Sequence, residues 1–423
     1  MIQRIKGTQD LLPGEIEKWQ YLEEKAREIF ARYGYSEIRT PIFEETELFA
    51  RSIGTETDIV EKEMYTFADR NKKSLTLRPE GTAPVVRASI ENNLLAGSGT
   101  LKLFYVGPMF RHERPQKGRH RQFHQIGAEV LGPDHPAVDA EVMEMLVHLL
   151  EELEIRSYHL NINSIGDRRC RPAYLKILQE KIAAILPHLC ADCNRRASTN
   201  PLRVFDCKVE ADQKYIDSLP TSLDYLCREC REHFEGVRRF LDAQKIPYFV
   251  NSRLVRGLDY YQRTTFEITS DTLGAQNALL GGGRYDGLSE SLGGPPVHGF
   301  GFALGEERFI LALPRKDYAC ARPQVYLAPL GSESFDFAVN LAAALRSNGV
   351  RTILEFENRS LKAQLRQADK LKIPLVVIFG ENELRSKEVQ IKNMITGLQA
   401  AVSSDMSEVL RAIRDSVPGR VSA

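Results

Sequence analysis

The chain has no excess of charge of either sign, 57 Lys and Arg standing against 57 Asp and Glu. Bulk charge therefore neither indicates nor excludes a nucleic-acid partner, and any basic patch has to be built locally. Apolar runs of the roughly 20 residues that a membrane-spanning helix needs are missing, so no membrane contact is expected. The opening residues Met1-Ile2-Gln3-Arg4 do not begin a signal peptide. Seven cysteines without such a leader fit a reducing compartment, and the cytoplasm is the expected location. What the chain does have is length: 423 residues suffice for two or three domains with sizeable cores.

Chemistry concentrates between Leu77 and Gly132. Pro79-Glu80-Gly81-Thr82 leads into a helical pattern, with Thr82 placed to cap it and Pro84 in its first turn. Glu80 has an ordinary use there, since an acid is favoured at a helix N-terminus. Two strand-like runs, one reaching Phe110 and one from Gln122 to Leu131, flank a polar loop. Arg111, Arg114, Lys117, Arg119 and Arg121 oppose the single acid Glu113, a cationic tongue suited to polyphosphate or a nucleic-acid backbone. Side chains alternate along a strand, so Ile126, Ala128 and Val130 share one face and Phe123, Gln125, Gly127 and Glu129 the other. That second face is either a solvated side or the floor of a polar pocket in which Gly127 leaves room for a ligand.

Elsewhere the pattern is one of alternating elements. Trp19, Leu22, Ala26, Ile29, Phe30 and Tyr33 recur at helical spacing, and Gly34 stands where a C-cap belongs. A short strand, Ser36 to Arg39, then meets Pro41, and Met64–Ala68 with Ser74–Leu77 reads as a hairpin. An amphipathic helix over Pro136–Leu153 precedes a strand at Ser157–Asn163. Residues 169–245 change character, becoming helical, charged and Cys-bearing, and are expected to be an insertion with helices at Pro172–Leu186 and Arg231–Gln244. Cys190-Ala191-Asp192-Cys193 and Cys227-Arg228-Glu229-Cys230 form paired CxxC knuckles, with Cys207 between them. Such pairs hold a structural zinc through Cys190, Cys193, Cys227 and Cys230, or else persist as reduced thiols. Leu254-Val255-Arg256-Gly257-Leu258-Asp259-Tyr260-Tyr261 opens a β-rich run, and a glycine-rich turn is expected at Gly281-Gly282-Gly283. Past a linker at Pro314–Pro323, strands at Val325–Ala328, Val350–Leu354, Leu375–Phe379 and Glu388–Lys392 alternate with helices at Phe335–Ser347, Leu361–Leu371 and Met406–Ile413. This predicts a compact α/β domain with a mixed sheet.

Several of these stretches carry a family resemblance. Phe110-Arg111-His112-Glu113-Arg114-Pro115-Gln116-Lys117-Gly118-Arg119 resembles motif 2 of the class II aminoacyl-tRNA synthetases in its histidyl-tRNA synthetase form. The long first helix running into a strand at Pro41 resembles motif 1, which builds the dimer interface in that family. Gly301 to Arg308 resembles motif 3, and Leu254 to Tyr261 resembles a peptide peculiar to the histidyl enzymes. The resemblance implies an α+β catalytic domain with an antiparallel sheet over 1–168 and 246–315. It also implies a helical insertion at 169–245 and an α/β anticodon-binding domain over 323–423.

It implies too a two-step ligation of L-histidine to its tRNA through a histidyl-adenylate, with ATP and Mg²⁺, by a homodimer. Arg111 and Arg256 would serve the reaction itself. Glu80, Thr82, Gln125, Glu129, Arg256, Tyr260 and Tyr261 would hold histidine. Arg111, Glu113, Arg119, Phe123 and Arg308 would hold ATP, and Arg114 and Gln116 would meet the tRNA acceptor end. Two rivals share the plan: a histidine-binding regulatory subunit of ATP phosphoribosyltransferase, and a synthetase for threonine, proline or glycine. The C-terminal domain and retained arginines argue against the first, and the Arg256–Tyr261 peptide against the second.

Overall fold

The computed structural model describes residues 1–54, 57, 59–96, 99–116, 118–274, 277–318 and 322–416. Lys117 of the cationic loop, residues 319–321 of the expected linker and the last seven residues, 417–423, lie outside the described residues. Two compact units result, Met1–Tyr318 and Ala319–Ala423.

The first unit is built on an eight-stranded sheet. Its strands are β1 Ser36–Glu37, β2 Leu101–Phe110, β3 Gln122–Gly132, β4 His159–Ser164, β5 Phe249–Val250, β6 Gln262–Thr269, β7 Ala278–Arg284 and β8 His298–Gly305. They lie side by side in the order β1-β2-β3-β8-β7-β6-β4-β5. Every pairing from β2 across to β4 is antiparallel, as expected. Only the short edge strands run parallel to their neighbours.

One face of this sheet is apolar because the helices on it are amphipathic. In α1, Ile16–Arg32, the buried positions Trp19, Leu22, Ala26, Ile29 and Phe30 follow helical spacing. Gly34, at φ +76°, then takes the left-handed turn that ends the helix. Helix α2, Thr82–Glu91, lies on the opposite side, and α3, Pro136–Glu152, joins α1. Ile126, Ala128 and Val130 enter the main core with Leu22, Phe30 and Leu146, so β3 has the facing predicted for it.

Helix α4, Arg228–Ala243, begins three residues earlier than expected and adds Phe234, Val237 and Leu241 to the same core. It is also tied in by charge. Asp139 of α3, fully buried, meets Arg284 Nη2 at 2.8 Å and His233 Nε2 of α4 at 2.9 Å. Burial alone would raise the Asp139 pKa, but Arg284 and His233 outweigh it and hold it below the ordinary carboxylate value. Between Arg171 and Ile216 the chain closes a separate small core around Tyr174, Leu178, Val204, Phe205 and Ile216.

Three expectations need correction. The two CxxC knuckles do not face each other. Cys190 and Cys193 close on Cys207 and Asp212, whereas Cys227 and Cys230 open α4 and meet Cys170 and Asp167, so one ribbon site with four cysteines does not form. Gly281-Gly282-Gly283 is no turn but the middle of β7, a strand whose missing side chains admit those of its neighbours. Thr82 is the first residue of α2 rather than its cap. Glu80 caps instead, accepting from the Thr82 amide at 2.6 Å and the Ala83 amide at 2.9 Å.

In the second unit the sheet order is Thr352–Leu354, Val325–Leu330, Leu375–Gly380, Glu388–Asn393, Gln399–Ser403. The first three strands are parallel and the last two antiparallel, the mixed sheet expected. Helices at Phe335–Ser347, Leu361–Lys370 and Met406–Ser416 accompany it.

Candidate active site

Strand β3 and the loop before it set the floor and rim of the site. The loop is closed at its tip by Gln116 and Arg119, whose backbones pair at 3.1 and 2.9 Å. Its base is pinned by the Arg121 amide on Gly7 O at 2.7 Å, so the segment ahead of α1 braces the cationic loop. Arg111 donates through Nε to Pro79 O at 2.9 Å and lies 5.3 Å from the centre of the Phe123 ring. Arg114 and Gln116 point outward and are exposed.

Arg111, Arg119, Arg256 and Arg308 converge on one cavity of about 190 Å³, with Glu113 and Phe123 in its wall. The expected ATP residues thus share a single hollow. Arg256 reaches it because Gly281 has no side chain: a Cβ there would come within 2.3 Å of Arg256 Nη2. Its guanidinium pairs with Glu267 on β6 at 2.7 Å. Burial draws the Arg256 pKa down, but Glu267 outweighs this and the net shift is upward. Arg308, on helix α5, Glu306–Ala312, donates to Ala278 O at 2.7 Å. Burial, reinforced by the like charge of Arg119, lowers its pKa. Four guanidiniums stand against the three carboxylates of Glu113, Glu267 and Glu307, with Arg256 paired to Glu267 and Arg119 to Glu113 at 3.3 Å, so the hollow stays cationic by a narrow margin. A cationic hollow rich in forked donors suits a phosphate-bearing ligand such as a triphosphate. Glu113, Glu267 and Glu307 line the same hollow and offer hard oxygen ligands that suit a divalent cation such as Mg²⁺.

Glu80, Thr82, Gln125, Glu129, Tyr260 and Tyr261 do not line that cavity. They form a closed polar cluster beside it, every member at most 8% exposed. Glu129 is its centre. Thr82 Oγ1 donates to one carboxylate oxygen at 2.7 Å and Tyr285 OH to the other at 2.6 Å. Gly301, paired with Glu129 across β3 and β8, makes room for it, since a Cβ at Gly301 would fall 1.8 Å from Glu129 Oε2. Burial pushes the Glu129 pKa up to about 8, against the two hydroxyl bonds that lower it. Burial likewise raises Glu80, opposed by the Ala83 and Thr82 amides and, through space, by Arg111. Tyr261 rises to about 12 by burial, with Arg256 the leading opposing charge. Arg111 and Arg256 therefore act electrostatically on both the open cavity and the closed cluster. Gln125 Oε1 is buried with no hydrogen-bond partner among the described residues.

Gly127 was expected to leave room for a ligand, and the structure corrects this. The Tyr105 ring fills that space, 2.3 Å from where a Cβ would sit. Tyr285 and Glu267 are the residues that sequence reasoning missed. Tyr285 stands two residues past the glycine run, and Glu267 lies in the β-rich run that Leu254–Tyr261 opens, but nothing in their spacing ties them to Glu129 or Arg256.

Residues 7–308 match the family model described as histidyl-tRNA synthetase, and residues 324–416 that described as anticodon binding domain. The histidine–tRNA ligase of Syntrophotalea carbinolica is 51% identical over 402 residues, covering 95% of this chain and 96% of that protein. That of Geobacter metallireducens is 49% identical, covering 98% of this chain and all of its own length (100%). Among solved structures, the apo histidyl-tRNA synthetase of S. aureus superposes with a TM-score of 0.82 at 37% identity, covering 98% of this chain and 100% of that one. Motifs, site geometry and full-length similarity agree, and the chain belongs to the histidyl-tRNA synthetase family.

Proposed function

We propose that this chain activates L-histidine with ATP and transfers the histidyl group to its tRNA, and that the residues gathered above divide that work. Arg111 holds the phosphate under attack, Arg119 and Arg308 hold the outer phosphates, and Phe123 offers an apolar face to the base; Glu113 would hold a Mg²⁺, which would supply further neutralisation of phosphate charge. Arg256 neutralises the histidine carboxylate as it approaches a like-charged phosphate. No residue acts as a nucleophile. Fixed guanidiniums, oriented by Glu267 and by backbone carbonyls before substrate arrives, lower the barrier by positioning and charge.

Glu80 and Thr82 take the α-amino group. Glu129, Gln125, Tyr260 and Tyr261 read the imidazole, a side chain that offers one donor and one acceptor. A pocket built to hydrogen-bond a polar ring rejects apolar analogues by about 10⁴–10⁵, so no editing step is required. The observation that carries this reading is the single hollow with four arginines lying against a buried carboxylate cluster.

Arg114 and Gln116 meet the tRNA acceptor end, a role their exposure on the loop that rims the hollow supports, and residues 324–416 meet the anticodon, a role their match to the anticodon binding domain supports. Residues 169–245 stand as an insertion within the catalytic domain. A homodimer is supported by the outward-facing Ile42, Phe43 and Phe67, all more than 40% exposed. A cytoplasmic location agrees with six free cysteines among the described residues. ATP–pyrophosphate exchange with each amino acid in turn tests the assignment. Exchange with histidine alone, abolished by Glu129→Ala, is expected. Exchange with threonine, proline or glycine, or binding of histidine without any exchange, would replace it with one of the two rival readings.

A further inference from the structure

The cysteines that fail to form one zinc ribbon form two smaller clusters of matching design. Cys190, Cys193 and Cys207 converge with Asp212, and Cys170, Cys227 and Cys230 converge with Asp167. In each group the four ligand atoms lie within 4.8 Å of one another. We propose that these are two separate structural zinc sites, each with three thiolates and one carboxylate.

Three observations carry this. The first is spacing. Tetrahedral zinc with Zn–S bonds near 2.3 Å sets sulfurs about 3.8 Å apart. Cys190 Sγ and Cys207 Sγ are 3.9 Å apart, and so are Cys170 Sγ and Cys230 Sγ. Disulfide sulfurs would be about 2.05 Å apart, so these thiols converge without bonding.

The second is the surrounding shell. Metal ligands are held by outer hydrogen bonds, and both clusters have them. Val209 donates its amide to Cys207 Sγ at 3.4 Å, and Asp167 donates its amide to Cys170 Sγ at 3.4 Å. The carboxylates are oriented in turn: Asp212 Oδ2 accepts from the Cys190 amide at 2.9 Å, and Asp167 Oδ1 from the Arg169 amide at 2.9 Å.

The third is donor chemistry. Thiolate-rich sets exclude Mg²⁺ and Ca²⁺, and iron–sulfur clusters call for four cysteines or their equivalent. Three sulfurs and one oxygen in a closed tetrahedron suit Zn²⁺.

Each site would brace a different joint. The first fixes the segment bearing Arg203, whose guanidinium packs 3.0 Å from the Cβ position of Gly257, one residue after Arg256. Asn200 of the same segment donates to Asp259 Oδ1 at 3.0 Å. The second ties the start of α4 to the turn between β4 and the helix Arg171–Ile185. This proposal is independent of the catalytic reading and fails or stands without it.

Metal analysis of the full-length protein, purified under reductant and without chelator, tests it. Two equivalents of zinc per chain are expected. Cys193→Ser should remove one and Cys230→Ser the other, each leaving its counterpart. Should a variant fail to fold, cobalt substitution of the unaltered protein reads the same point, through thiolate charge-transfer and tetrahedral d–d bands that saturate at two equivalents. A metal-free folded protein, a total of one equivalent per chain that either substitution abolishes, or Cys190–Cys207 and Cys170–Cys230 recovered as disulfides from alkylation-quenched cells would each overturn the proposal.

Discussion

Replacing Tyr285 with Phe isolates one bond in the proposed histidine pocket. The ring stays, so packing is nearly unchanged, and only the hydroxyl that donates to Glu129 Oε2 at 2.6 Å is lost. With it, burial holds the Glu129 pKa at about 8. A hydrogen bond to a charged group contributes about 1.5–3 kcal/mol. At about 1.36 kcal/mol per unit, its loss should raise that pKa by a further 1–2 units, roughly to 9–10. If the ionised carboxylate accepts the imidazole N–H, then kcat/KM for histidine follows the ionised fraction in the free enzyme. At pH 7 that fraction falls about 10–100-fold in Tyr285→Phe relative to the parent, and at pH 9 only about 2–10-fold.

The assay is histidine-dependent ATP–pyrophosphate exchange from pH 7 to 9, read as the ratio of the two enzymes, because the substrate's own ionisation cancels in the ratio. A ratio that narrows with rising pH is the expected result. A ratio that is flat across this range would refute the reasoning, because a defect of fold or pocket shape does not track the titration of one carboxyl. Isothermal titration gives an independent check. Between pH 7 and 8 histidine binding should release a proton from Glu129, so the apparent enthalpy should depend on the buffer's ionisation enthalpy. No buffer dependence would count against Glu129 as the imidazole acceptor.

Three further outcomes follow from the same geometry. Arg256→Lys keeps the charge but not the planar fork that meets Glu267 at 2.7 Å, and kcat for exchange should fall about 10²–10³-fold. A raised KM at unchanged kcat would mean that Arg256 only binds the ground state. Asp139→Asn takes the shortest carboxylate contact, 2.8 Å, from buried Arg284 and leaves it Asp286 at 3.2 Å and the more exposed Asp134 at 3.6 Å; it should cost about 3 kcal/mol, read from the urea midpoint. Because folding holds the Asp139 pKa below its unfolded value, its contribution is present above that unfolded value and disappears as pH falls through the lowered one. The parent protein should therefore lose its advantage over Asp139→Asn in acid, and an advantage that persists there would contradict the assignment. A chain ending at Tyr318, the boundary of the first compact unit, should retain histidine-dependent exchange. Its tRNA charging should fall by at least about tenfold, as expected when one of two linked contacts is lost. Normal charging by that fragment would remove the second unit from tRNA recognition.

How much of this was legible depends on whether a feature lives within one element or between several. The facing of β3 could be read because alternation is a property of consecutive residues: Ile126, Ala128 and Val130 had to share a side. The arginines of the loop and of α5 stood in recognisable local runs. The edge strand Gln399–Ser403 left no such trace, because four of its five residues are exposed and no apolar alternation marks it. The cysteine knuckles misled for a sharper reason. CxxC spacing fixes two ligands on one helix start but says nothing about which pair completes the site, and the completing residues Cys207 and Cys170 are single cysteines outside either knuckle. Tyr285 and Glu267 were silent in the same way, since their partners Glu129 and Arg256 lie on other elements. The clearest case is glycine. Gly281 and Gly301 read as a turn and a motif fragment because a residue without a side chain has no pattern to display. In the folded sheet those two absences on adjacent strands are what admit Arg256 and the Glu129 carboxylate to their places. Chemistry was written in the residues that carry it, and the room for that chemistry in residues that carry none.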